Sequence, residues 1–106
     1  MSIRKAIIKE IELLSSPSMQ LQYEIDVPIA NVPAELVCGF CDDLFHPESE
    51  QIKSQFTGQE INELSLLYKA LSDTTNIEVS TVKELLKHKK WLAVIEKAKI
   101  LRDYYE

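Results

Sequence analysis

Glycine, proline and long apolar runs are all scarce in this sequence. The shortage of glycine and proline argues against long irregular loops, and the lack of long apolar runs argues against a membrane protein. The 106 residues include two glycines and four prolines, which leaves few positions for long irregular loops. No window approaches the ~18 uncharged apolar residues of a membrane-spanning helix, and the apolar N-terminal stretch is interrupted by Arg4, Lys5 and Lys9. We therefore expect neither a membrane span nor a signal peptide, and we expect the protein to be cytoplasmic.

The two cysteines, Cys38 and Cys41, are expected to be reduced thiols because no secretory signal is readable. A C-x-x-C pair at the start of a helix is typical of disulfide-exchange enzymes. A thioredoxin-like domain, however, requires a buried strand that runs into the first cysteine, and here the preceding residues are P-A-E-L-V. We interpret the two thiols as small residues on one helix face, with a redox enzyme as a more distant alternative.

Metal-binding and catalytic motifs are also missing. The two cysteines together with His46 and His88 do not have the ligand spacing of a zinc finger or ribbon. Asp42 and Asp43 lie close to His46, and we interpret them as a solvated acidic helix end rather than a metal or acid–base site. The sequence has no glycine-rich phosphate loop and no nucleophile beside a base. We therefore expect no metal, no cofactor and no enzymatic activity.

Basic residues are absent from one long stretch, which is the strongest bias in the sequence. The net charge is -5, but residues 21–80 carry eleven acidic and two basic side chains, whereas residues 81–106 carry four acidic and seven basic ones. Between Leu21 and Ile52 there are seven carboxylates and no lysine or arginine. The negative electrostatic potential of such a stretch repels nucleic acid and attracts a basic partner. Solubility alone is the other explanation that the sequence leaves open.

The basic residues after residue 80, with Trp91 and two tyrosines among them, offer an alternative nucleic-acid surface. They alternate with Glu84, Glu96 and Asp103 at helical spacing. We interpret them as the solvent-facing side of the terminal helices, where basic residues also complement the helix dipole. No nucleic-acid partner is therefore expected.

Hydrophobic periodicity predicts a mainly α-helical protein, a single domain over residues 1–106 with a bundle of about five helices. The clearest helix lies within residues 56–73, where Thr57 and Glu60 form a capping box ahead of an apolar stripe that includes Tyr68. Further helices are predicted over residues 3–14, over residues 34–44, from Ser80 onward, and from Trp91 to Tyr105.

Residues 19–29 carry a different pattern, because apolar and polar residues alternate strictly from Met19 to Ile29. A period of two favours a short strand or extended segment near residues 20–29. Ser16 and Pro17 would also suit the cap and first turn of a helix, and only residues 77–79 offer a partner strand. The strand is the favoured interpretation, and the helix stays open.

Three segments carry a resemblance to a known group of proteins. They read V-P-A-E-L-V-C-G-F-C-D-D-L-F-H-P, F-T-G-Q-E-I-N-E-L and K-K-W-L-A-V-I-E-K-A. This pattern, which covers about residues 20–101, resembles the small helical immunity proteins that protect bacteria from contact-dependent growth inhibition toxins. The chain departs from the pattern at Cys41, where a tryptophan is expected, and at Gly58, which follows the helix cap.

The resemblance implies inhibition by stoichiometric binding to a cognate toxin domain with a basic surface, such as a nuclease. Carboxylates would steer the association, and aromatic side chains would anchor the centre of the interface. The predicted partner-binding residues are Tyr23, Glu24, Asp26, Asp42, Asp43, Phe45, Glu48 and Glu50, with Tyr23 and Phe45 as the anchors. A small cytoplasmic regulatory or adaptor protein without catalytic activity is the alternative function.

Overall fold

Seven α-helices and one π-helix make up the computed structural model, which describes residues 2–27 and 31–105 except for the side chains of residues 42 and 43. In chain order they are α1 (Ile3–Leu14), α2 (Pro17–Asp26), α3 (Val32–Cys38), the π-helix (Gly39–Leu44), α4 (Glu50–Gln55), α5 (Gly58–Ser72), α6 (Val82–Leu85) and α7 (Lys89–Tyr105). The described residues form no strand. None of their helices is long and apolar enough to cross a membrane. The fold is therefore all-α and single-domain, as predicted, with more helices than the five expected.

Six of these helices begin at a polar residue whose side chain accepts a hydrogen bond from the amide three residues later. The capping residues are Ser2, Ser16, Asn31, Ser49, Thr57 and Thr81. At Thr57 the predicted capping box is confirmed, since Glu60 Oε1 also accepts from the Thr57 amide at 2.9 Å. The helix predicted to open at Ser80 opens instead at Thr81, because Thr81 has Glu84 three residues after it, and that helix spans only four residues.

The core forms where α7 packs against both α1 and α5. The apolar residues that recur along α7 are buried as predicted: Trp91, Val94, Ile95, Ala98 and Leu101. They meet the buried stripes of α1 (Ile7, Ile11, Leu14) and α5 (Leu64, Leu67, Leu71). Burial of each such side chain contributes about 1.5–3 kcal/mol, so these three stripes hold the bundle together. Tyr68, which the periodicity placed on the stripe of α5, is 39% exposed instead.

The segment for which alternation favoured a strand is helical, so that prediction is wrong over residues 20–26. Residues 28 and 29 of the same predicted segment lie outside the described residues. Two local features support the helix: the Ser16 side chain accepts from the Met19 amide at 3.2 Å, and Pro17 lies in the first turn, where its missing amide hydrogen is not needed.

Tertiary contacts also stabilise α2 through the fully buried side chain of Gln20. Its amide nitrogen donates to the carbonyls of Leu13 and Leu14, each at 3.1 Å. Its Oε1 accepts from the indole Nε1 of Trp91, also at 3.1 Å. This one polar residue therefore joins α2 to the end of α1 and to α7, which an outward-facing polar residue of a surface strand would not do.

The helix predicted over residues 34–44 begins earlier, at Val32, and changes from α to π geometry at Gly39. It ends at Leu44, as predicted. A Cβ atom at Gly39 would lie 3.3 Å from Oε1 of Glu10 on α1. The Glu10 carboxylate therefore packs close to the backbone of the π-helix at Gly39.

Candidate partner-binding surface

A groove lies between α1, α2 and α3 and is bordered by the π-helix. It has two adjoining parts that share Glu10, Leu13 and Tyr23, and we call the whole the α1–α2–α3 groove. One part, of about 580 Å³, also contains Glu35, Leu36 and Leu44. The other part, of about 680 Å³, also contains Lys9, Glu12, Met19, Asp26 and Val27. Because the two parts share Tyr23, this side chain lies where they adjoin, together with Glu10 and Leu13.

Tyr23, a predicted aromatic anchor, is half-buried, and its hydroxyl donates a hydrogen bond to Glu35 Oε2 at 3.0 Å. This hydrogen bond raises the pKa of Tyr23, as do burial and the negative charges of Glu35 and Glu10. The phenol therefore remains a neutral donor that holds the Glu35 carboxylate in place. The structure thus presents Tyr23 at a concave surface, where a partner side chain could contact its ring.

Carboxylates outnumber cations around the groove. Glu10, Glu12, Asp26 and Glu35 line it, and Lys9 is the one basic side chain among its described lining residues. Asp26 and Glu35 are exposed, and neither makes an ion pair with any described residue. An apolar floor with an acidic rim is therefore available to a cationic partner.

Glu24, also predicted to bind a partner, has a structural role in the free protein. Its Oε2 accepts a hydrogen bond from the backbone amide of Val82 at 2.8 Å. That amide is the first of α6, and first-turn amides have no acceptor within their own helix. Glu24 therefore caps α6 and joins it to α2, although its neighbour Tyr23 faces the groove.

Phe45, the second predicted anchor, is a core residue with 1% of its surface exposed. Its ring stacks on Phe40 at a centroid distance of 5.3 Å and packs against Tyr68 at 6.1 Å. The position of Phe45 therefore contradicts an anchoring role on the surface, because the π-helix ends immediately before it and the chain turns its ring inward. Sequence proximity to the acidic residues gave no information about this direction.

The remaining predicted carboxylates fall into two groups. Glu48 and Glu50 are exposed at the start of α4, and neither makes an ion pair with any described residue. Glu48 borders a small cavity of about 230 Å³ that also contains Phe45, His46 and Tyr68. Asp42 and Asp43 belong to the π-helix, but their side chains lie outside the described part of the structure.

Sequence reasoning missed several residues of the groove, chiefly Glu10, Leu13 and Leu44. It counted Glu35 in the acidic stretch without choosing it as a binding residue. The helical spacing of α1 places Glu10 at the edge of the buried stripe, three residues after Ile7, but no local signal says that α2 and α3 flank that edge. These residues come together only after the three helices pack.

The cysteines and histidines form no cluster that could hold a metal ion among the described residues. Both cysteines are thiols; Cys38 is exposed and lines the groove, and the Cys41 sulfur donates to the carbonyl of Tyr68 at 3.9 Å. No group of three His, Cys, Asp or Glu side chains in the described residues is placed to hold a metal ion. The buried strand that a thioredoxin-like site requires is absent from the described helical segment before Cys38.

A second ionisable cluster joins α1 to α5 and α7. The guanidinium of Arg4 donates to both carboxylate oxygens of Glu60, at 3.3 and 3.1 Å, and to the carbonyl of Gln55 at 2.8 Å. It lies 5.0 Å from the ring centroid of Phe56 and 5.3 Å from that of Tyr105. Such a cation–π arrangement contributes about 0.5–2 kcal/mol, so this cluster stabilises the bundle.

Two groups of this cluster have shifted pKa values. Burial raises the pKa of Glu60, but hydrogen bonds from Arg4 and Thr57 and the charge of Arg4 lower it by more, so that the pKa lies below its ordinary value. Burial, followed by the charge of Glu60, raises the pKa of Tyr105 well above its ordinary value. The buried hydroxyl of Tyr105 makes no hydrogen bond of regular geometry with any described residue, although a weaker interaction with the Glu60 carboxylate contributes to the raised pKa.

Comparisons with known proteins find no matching family model, no matching curated protein and no matching solved structure. The functional inference therefore depends on the chemistry of the surface, and in particular on the groove and the exposed carboxylates.

Proposed function

We propose that this protein is a cytoplasmic immunity protein, a non-enzymatic inhibitor that binds a cognate bacterial toxin domain in a one-to-one complex. The supporting observation is a set of exposed carboxylates that make no ion pair with any described residue. They are Asp26, Glu35, Glu48 and Glu50. Exposed charges of one sign that make no ion pair attract a basic partner and accelerate its association.

A nuclease toxin is the partner that this chemistry fits best. A nuclease needs lysine and arginine on the surface that binds the phosphate backbone. An acidic protein is attracted to that surface, and complementary charges accelerate association by factors of about 10–1,000 at low salt. Inhibition by covering the surface needs no metal, cofactor or catalytic residue.

Co-expression tests the proposal directly. The partner is the C-terminal domain encoded by the gene directly upstream, and the readouts are growth rescue and co-purification at about 50 mM and about 300 mM NaCl, which bracket physiological screening. We expect rescue and a one-to-one complex that weakens as salt rises. Neither rescue nor a complex would contradict immunity and favour a regulatory or adaptor protein.

A matched pair of charge reversals tests whether the acidic surface steers the association. Asp26→Lys and Glu78→Lys each change the net charge by the same amount, and both residues are exposed. Asp26 lines the groove, whereas Glu78 lies in the loop before α6. We expect the first reversal to slow association about tenfold at low salt and the second to slow it about threefold or less. Equal slowing by both would mean that net charge alone governs the encounter.

A further inference from the structure

We infer that the α1–α2–α3 groove receives an amphipathic helix of a protein partner, with an apolar face flanked by lysine or arginine. The inference deepens the proposed function and rests on it, since it names the surface that meets the toxin domain.

The floor of the groove is apolar and accessible. Leu13, Leu44 and Val27 are half-buried, and Met19 is 46% exposed. These side chains lie beside the half-buried ring of Tyr23. Apolar side chains from a partner would remove this surface from water, which favours binding. Tyrosine and methionine suit such a contact, because both are enriched at protein interfaces.

The rim selects the charge of the occupant. Glu12, Asp26 and Glu35 stand around the apolar floor, with Lys9 as the one cation among the described lining residues. The Tyr23 hydroxyl already binds one oxygen of Glu35, which fixes the carboxylate in a position to accept a further donor. A guanidinium or ammonium group therefore fits this rim, whereas nucleic acid and anionic lipid would be repelled.

The all-helical architecture favours a helix as the occupant. A peptide that binds by adding a strand needs a sheet edge, and the described residues form no strand to offer one. An amphipathic helix instead binds through side chains at positions i, i+3, i+4 and i+7, which an apolar groove between helices accommodates. Lysine or arginine on both sides of the apolar face of that helix would pair with the carboxylates of the rim and so fix the position of the helix along the groove.

Titration of the ¹⁵N-labelled full chain with a designed peptide tests the inference without a known partner. The probe is an amphipathic peptide of leucine and lysine, about 18 residues or five helical turns long, and its control carries glutamate in place of lysine. We expect the lysine peptide to shift the amide signals of groove residues such as Leu13, Tyr23 and Leu44. The glutamate peptide should bind at least tenfold more weakly.

Three results of this titration would overturn the inference. The first is that signal shifts are confined to another part of the surface, such as that around Leu92 and Ile100. The second is that the two peptides bind equally well. The third is that no signal shifts at about 1 mM lysine peptide. Groove shifts that appear when the protein alone is concentrated would also overturn it, because the occupant would then be a second copy of this chain.

Substitutions at two exposed alanines provide the matched control. Ala34 on α3 lines the groove, whereas Ala93 is exposed on α7. Ala34→Arg should weaken binding of the lysine peptide about tenfold or more, and Ala93→Arg should change it less than about twofold. Ala34→Glu adds similar bulk with the opposite charge, so it should preserve binding within about threefold. Equal losses in all three variants would contradict the charge requirement.

The same variants separate this inference from the proposed function. If the wild-type protein fails to rescue growth but the lysine peptide still binds the groove, only the immunity function is refuted. If the wild-type protein rescues growth and Ala34→Arg rescues equally well, with unchanged affinity for the toxin domain, only the groove is refuted as the docking site.

Discussion

Replacement of Gln20 by leucine tests how strongly one buried polar side chain holds the helices together. Gln20 bonds to the carbonyls of Leu13 and Leu14 and to the indole of Trp91, each at 3.1 Å. Leucine fills a similar volume but makes none of these hydrogen bonds. The Leu13 carbonyl would keep its bond from the Ser16 amide at 3.2 Å. The indole N–H and the Leu14 carbonyl would remain buried without a described partner.

The expected cost follows from those two unsatisfied groups. Each buried polar group left without a partner costs about 1–3 kcal/mol, and the greater apolar surface of leucine offsets part of the total. We therefore expect Gln20→Leu to lower the free energy of unfolding by about 3 kcal/mol. For a domain of this size that corresponds to a fall of about 12–24 °C in Tm.

Urea denaturation followed by tryptophan fluorescence measures this loss, because Trp91 is the single tryptophan. The matched control is Gln22→Leu, the same change at an exposed position of the same helix, which should alter the free energy of unfolding by less than about 0.5 kcal/mol. A loss in Gln20→Leu no larger than that in Gln22→Leu would refute the reasoning.

A double-mutant cycle isolates the hydrogen bond between Gln20 and Trp91. Trp91→Phe removes the indole donor, and unfolding of these variants is followed by circular dichroism because the fluorophore is lost. The double mutant should lose about 1–2 kcal/mol less than the sum of the single losses. Strict additivity would mean that the side chains act independently.

Three further predictions concern ionisable and polar groups. Glu60→Gln should lower the free energy of unfolding at neutral pH. The difference in unfolding free energy from wild type should narrow as pH falls through the folded-state pKa of Glu60, because a lowered pKa contributes stability only while the carboxylate is charged. A constant difference in urea titrations across pH would contradict this. Tyr105→Phe keeps the ring beside Arg4 but removes the unpartnered hydroxyl, so Tm should stay unchanged or rise. A fall in Tm of more than about 4 °C would show that the hydroxyl makes a stabilising hydrogen bond. Glu24→Ala should cost about 1–2 kcal/mol in urea unfolding, whereas Asp26→Ala should cost less than about 0.5 kcal/mol; equal losses would contradict the capping role of Glu24.

Features that depend on neighbouring residues were predicted well. The capping box of Thr57 and Glu60 involves residues three apart, and both of its hydrogen bonds form. The buried stripe of α7 repeats at helical spacing, so amphipathicity alone identified it. Local geometry decides these features, and tertiary packing then buries the face that the pattern indicates.

The candidate site was only partly predictable because residues adjacent in sequence face different neighbours. Tyr23 lies in the groove, whereas Glu24 caps α6 and Phe45 lies in the core. The acidic stretch was readable as a charge bias, but its distribution over the surface depends on how α1, α2 and α3 pack. No periodicity in the chain encodes that arrangement.

The sequence by itself determined the mainly helical class, the capped start of α5 and the acidic bias, since these depend on side chains within a few turns of one another. Tertiary structure decided the location of the groove, and together with the local cap at Ser16 it decided the conformation of residues 17–26. Strict alternation of polar and apolar residues is compatible with a strand, but the hydrogen bond from Trp91 to Gln20 joins residues 71 positions apart. Loss of that buried hydrogen bond would leave polar groups without partners, which is costly. A long-range contact, which local sequence patterns do not report, therefore helps to stabilise a helix where the alternation favoured a strand.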